Sequence, residues 1–175
     1  MDNSFFAYLQ LLELMAFFSG YPLIYSLGLF VSGKIPSRYD KVNIRRALPY
    51  AYALVGTLYL GLQLKNLYPD YSIANIRNAF LQPYLIGWAL MSLLFWIPAI
   101  SKRPVLSLVH SLVFFFFLLR DLFKQITDPA ADKNILSNDM TLYTTSLLIN
   151  ISALVFIVVI IFVYGYLKRR STPRV

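Results

Sequence analysis

Four ionisable side chains stand inside apolar runs of this chain: Glu13, Lys65, Arg120 and Asp121. A charge in hydrocarbon must be neutralised, paired, or turned towards protein or water. Counting along each helix, Glu13 lies roughly 12 Å in from the start of its run, Arg120 about 24 Å along its own, and Lys65 about 26 Å along a third. In a hydrocarbon core about 30 Å thick, all of these fall in the same half of the bilayer. The four charges are therefore expected to form one buried cluster, with Glu13 paired to Arg120. Arg suits that role because its planar fork offers a carboxylate two donors. Lys65 competes for Glu13, and Asp121 competes for Arg120. Three chemistries fit such a cluster. It can be a structural ion-pair network, with Lys65 and Arg120 snorkelling to the surface. It can be a proton or cation site centred on Glu13. It can also bind an acidic headgroup.

His110 is the only histidine. One histidine cannot make a bis-histidine haem site, and no acid stands at its depth to share a metal. No cofactor is expected. His110 is read as a hydrogen-bonded packing residue, with a proton relay as the alternative. Tyr52, Gly56, Tyr59 and Gln63 recur at i, i+4, i+7 and i+11, which is one face of a helix. Small and hydrogen-bonding residues on one stripe are what helix contacts in lipid use. A solute-lining stripe is the other reading. Asn150 joins these positions as a polar-packing or relay candidate, in a segment whose first half also holds Thr144, Thr145, Ser146 and Ser152. The Phe114, Phe115, Phe116 and Phe117 run wraps right round its helix and reads as filler between helices and lipid. No nucleophile motif, phosphate loop or HExxH sequence is present.

The elements that hold these residues are apolar helices. The chain has 175 residues, 58% of them hydrophobic and 14% charged. Soluble domains carry about 25% charge, so the chain belongs to the membrane class. It has no cysteine, which excludes disulfides and thiolate chemistry. Continuous apolar runs argue against a membrane β-barrel. The expected fold is all-α: a polytopic integral membrane protein of five transmembrane helices with short loops, forming one domain. The helices are predicted over 5–31, 48–67, 79–100, 104–124 and 142–167. The first exceeds the roughly 20 residues that a span needs, and Gly20-Tyr21-Pro22 is expected to kink it. A polar connector covers 32–47. A short interfacial helix is possible over 68–78. Residues 125–141 read as a polar acidic loop, and the Ser101-Lys102-Arg103 turn forces a tight antiparallel hairpin. The N-terminus lacks a basic leader, so no cleavable signal peptide is expected.

The net charge of +8 does not imply nucleic acid, because the cations sit at the ends of apolar segments. Eleven of the sixteen basic residues fall in the first connector, the 101–103 turn and the C-terminal tail. The positive-inside bias then places the C-terminus in the cytoplasm and the N-terminus outside, most simply in a plasma (inner) membrane. The expected partners are the lipid bilayer and other membrane protein subunits, or further copies of the chain. The favoured function is non-enzymatic: an accessory, assembly or scaffold subunit of a larger membrane complex. The alternative is a small oligomeric transporter or channel coupled to protons or cations through Glu13. A membrane enzyme acting on a lipid or isoprenoid ranks third.

Overall fold

A computed structural model of the chain describes residues 3–34, 44–72, 75, 76, 80–127 and 133–171. Every regular element among them is helical. They run α1 (Asn3–Phe18), α2 (Tyr21–Lys34), α3 (Ile44–Leu67), α4 (Pro83–Leu90), a 3₁₀ helix (Met91–Trp96), α5 (Pro98–Ser101), α6 (Pro104–Thr127) and α7 (Lys133–Ser171). Four helices are long and apolar enough to cross a membrane: Phe6–Val31, Ile44–Leu67, Pro104–Phe123 and Met140–Lys168, the first of them bent. A shorter apolar stretch covers Pro83–Trp96. The chain is an all-α polytopic membrane protein.

The first span breaks between Phe18 and Tyr21, where Pro22 cannot donate to the preceding turn. Gly20 is required at this corner. A Cβ there would lie 2.8 Å from Leu147 N and from Ser146 C of α7, so the two backbones touch. The third predicted helix, 79–100, does not run through as one α-helix. Pro83 opens α4, and Ile97 is extended at φ −74°, ψ 121° just before Pro98. A residue before proline is pushed out of the α region, which ends the 3₁₀ helix there. The broken segment still crosses the bundle. At one end Leu81 N–H donates to Gln10 Oε1 (3.2 Å) and Gln82 Nε2 to the Ala7 carbonyl (3.5 Å). Towards the other, Trp96 meets Tyr50 of α3 with ring centroids 6.1 Å apart, and Pro98 and Ser101 come close to Arg45 and Arg46 at the start of α3.

The expected loop over 125–141 is largely helix instead. α6 continues to Thr127 and α7 begins at Lys133. Loss of hydropathy marks where lipid ends, not where a helix ends. α7 has 39 residues, about 58 Å at a helical rise, nearly twice the hydrocarbon thickness of about 30 Å. Residues 35–43 of the first connector, 73, 74 and 77–79 of the proposed interfacial helix, 128–132 of the loop and 172–175 of the tail lie outside the described residues.

The bent first span and α3 form the centre of the bundle. In each, 56% of the apolar window is buried, against 28% for α6 and 22% for α7. The core between them is aromatic. Phe18 stacks on Phe114 at 4.8 Å and meets Tyr52 and Tyr59 edge-on at 5.7 and 5.5 Å. Tyr21 lies 4.4 Å from Tyr52. Tilted and edge-on rings gain beyond area burial by about 0.5–1.5 kcal/mol each. In lipid, where burying apolar surface between helices brings little, such directional packing holds helices together.

Candidate functional site

The polar groups at mid-bundle gather around His110. Tyr52 Oη lies 2.7 Å from His110 Nδ1, and His110 Nε2 lies 2.8 Å from the Trp88 carbonyl. A carbonyl only accepts, so Nε2 carries the proton. In the neutral ring Nδ1 then accepts from the Tyr52 hydroxyl. The indole of Trp88 lies flat on the imidazole, 4.8 Å between centroids at 6°, and its Nε1 donates to the His110 carbonyl at 3.2 Å. One helical turn towards the N-terminus of α6, Ser107 gives its proton to the Pro104 carbonyl (2.6 Å), leaving its oxygen to accept from the Tyr21 hydroxyl (2.8 Å). These bonds tie α2, α3, α4 and α6 together. The hydrogen-bond chain from Tyr52 through His110 ends on a backbone carbonyl, which takes up no proton in normal chemistry. That end suits packing better than relay.

A second polar joint sits on α7. Ser146 Oγ accepts the Gly20 amide (2.8 Å), and Asn150 Nδ2 donates to the Phe17 carbonyl (2.8 Å) and to the Ser146 carbonyl (2.8 Å). A helix break leaves end carbonyls and amides without ladder partners. In hydrocarbon each such group costs several kcal/mol unless protein satisfies it. Ser146 and Asn150, spaced i and i+4 on one face, satisfy the break between α1 and α2. Asn150 Oδ1 is buried and accepts no hydrogen bond from a described residue.

The four intramembrane charges do not come together as one cluster. Arg120 pairs with its neighbour Asp121 at 3.1 Å and lies 5.2 Å over the Phe117 ring. Glu13 is half-buried and accepts from Gln63 Nε2 at 3.2 Å. Lys65 is exposed. Among the described residues no ion pair joins Glu13 to Arg120. With Phe18 facing Phe114 and the two helices antiparallel, Glu13 and Arg120 stand at similar levels along the bundle but on different faces. The buried residues of α6 are Ser107, His110, Ser111, Phe114 and Leu118. Arg120 falls two residues beyond that stripe, which turns it outwards by about 200°.

The stripe on α3 is buried throughout at Tyr52, Gly56, Tyr59 and Gln63. A Cβ at Gly56 would overlap the Ser92 hydroxyl, so α3 and the 3₁₀ helix meet there in close contact. Phe114 is buried, while Phe116 is exposed. Sequence reasoning passed over Trp88, Ser107 and Tyr21 as partners in the His110 joint. The signal for Ser107 was its place one turn before His110, at i and i+3. Nothing in the sequence marked the Trp88 carbonyl. Among the described residues no group of three histidine or acidic side chains is placed to hold a metal ion.

No protein family, curated protein or solved structure matches the chain.

Proposed function

We propose that the chain is a non-enzymatic subunit of a larger membrane assembly, packed against other membrane proteins or against copies of itself. The observation that carries this reading is how the buried polar groups are used. His110 donates to the Trp88 carbonyl, Asn150 to the Phe17 carbonyl and Tyr52 to the His110 ring, while the Ser107 and Ser146 hydroxyl oxygens accept from the Tyr21 hydroxyl and the Gly20 amide of neighbouring helices. They work as joints that lock broken helices together, which is what a scaffold needs. The long α7 then offers a partner surface: Phe156, Val159, Ile160, Phe162 and Val163 are all exposed along it. The basic bias at one end of the bundle supports a cytoplasmic C-terminus and an external N-terminus, in a plasma (inner) membrane. Extraction from native membranes in mild detergent tests the subunit role. A membrane protein, or a second copy, should co-purify in fixed ratio. A partner-free monomer that transports or catalyses alone would overturn the reading.

A second reading, a small proton- or cation-coupled transporter, is favoured by one observation. Glu13 lies half-buried in a span, and its hydrogen-bond partner is the neutral amide of Gln63. Carboxyl groups in that position mark proton and ion pathways. Flux in proteoliposomes that is equal for the native chain and Glu13→Gln would remove the coupling role.

A further inference from the structure

The end of the bundle where α3 begins and α5 turns into α6 carries a cavity of about 500 Å³. Arg45 and Arg46 of α3 and Lys102 of the turn line it, with Tyr50, Pro98, Ser101 and Pro104 completing the wall. None of these seven residues is acidic, and among the described residues no carboxylate pairs with any of the three cations. Three like charges lining one hollow raise a positive potential there that concentrates anions. The geometry points to a binding site for a phosphate-bearing anion here, occupied by the headgroup of an anionic phospholipid.

Two independent features place this hollow at headgroup depth. Tyr50, which lines it, also meets Trp96 with ring centroids 6.1 Å apart, and the Trp96 indole donates to Thr57 on the apolar side. Tyr and Trp are enriched at both membrane–water interfaces, where their rings sit at headgroup level. Beside the cavity the outer surface is apolar, with Ile97 next to Pro98 and Val105 next to Pro104, both exposed. A lipid seated by its phosphate among Arg45, Arg46 and Lys102 would lay its acyl chains along these residues. Arg forks match phosphate oxygens in pairs, and Lys102 adds a point charge. A soluble phosphate would use the same cations and leave the apolar surface without a role. The site does not depend on which partner α7 meets.

Native mass spectrometry of the full chain released from nanodiscs tests the site. Two lipid compositions are compared, phosphatidylcholine alone and phosphatidylcholine mixed with phosphatidic acid. The expected result is retention of phosphatidic acid over phosphatidylcholine by at least about tenfold, since each basic residue near anionic lipid contributes appreciably. The double variant Arg46→Gln/Lys102→Gln should lose that preference. Lys65→Gln, which removes an exposed cation away from the cavity, and the conservative Lys102→Arg should keep it. Equal retention of both lipids by the native chain, or an unchanged preference in the double variant, would overturn the proposal. So would inorganic phosphate at matched concentration displacing the lipid completely, because that result would assign the site to a soluble anion.

Discussion

His110 and Trp88 bond each other in both directions across the α4–α6 contact. The imidazole Nε2 donates to the Trp88 carbonyl at 2.8 Å, and the indole Nε1 donates to the His110 carbonyl at 3.2 Å. The two rings lie parallel between those bonds, 4.8 Å apart. Each side chain thus reads the other's backbone, which fixes both the register and the rotation of the two helices. Tyr52 adds α3 to the joint through Nδ1.

That arrangement predicts coupling between Tyr52 and His110. A double-mutant cycle of Tyr52→Phe and His110→Ala, read by unfolding in detergent, should give an interaction of about 0.6–1.7 kcal/mol, between the average and the maximum found for hydrogen bonds between membrane helices. Strict additivity would show that the phenol and the imidazole do not bond.

Glycines sort by what a methyl group would meet. Gly20→Ala drives a Cβ onto the α7 backbone, which cannot turn away, and should cost about 1–3 kcal/mol as overpacking does. Gly56→Ala meets the Ser92 hydroxyl instead, and Ser92→Ala in the same chain should recover part of the loss. Gly61→Ala, with open space around it, should change stability by no more than about 0.5 kcal/mol. Equal effects at Gly20 and Gly61 would refute the close approach of α7 to the α1–α2 corner.

Ser146 holds a backbone amide that the break releases. Ser146→Ala should leave the Gly20 N–H unsatisfied, cost about 1–3 kcal/mol, and speed amide exchange at Gly20 and Tyr21 while α3 keeps its protection. Uniform loss of protection through the whole bundle would point to a general packing defect instead.

Glu13 and Arg120 should behave independently. Glu13→Gln and Arg120→Gln should add within about 0.3–0.5 kcal/mol. Arg120 with Asp121, a pair whose side chains are 43% and 13% exposed, should couple by less than about 1 kcal/mol, as outward-facing pairs do. Coupling of Glu13 to Arg120 above that level would bring the two charges back together.

The charges show what a sequence reading captures and what it leaves. Relative level along two antiparallel helices could be counted, because rise per residue is fixed. Rotation was not used, although the spacing of Ser107, His110, Phe114 and Leu118 already marks the inner face of α6 and leaves Arg120 off it. The kink at Pro22 could be read from one residue's missing donor. Its anchor could not, since the bonds from Ser146 and Asn150 span more than 120 residues of sequence. The break at Ile97 was available from Pro98 but was outweighed by the unbroken hydropathy of 79–100. The same reliance on hydropathy placed the start of the last helix at 142, past a helical stretch from Lys133 to Thr141 in which polar residues outnumber apolar ones.

Site-specific photo-crosslinking in native membranes tests most directly whether α7 joins this chain to another membrane protein or to a second copy of itself. A photoreactive residue is placed at Phe156 or Val163 on the exposed side of α7, and at Leu106 on the exposed side of α6 for comparison. A discrete protein adduct of one defined mass is expected from Phe156 and Val163, and lipid adducts alone from Leu106. Lipid adducts alone at all three positions would contradict it.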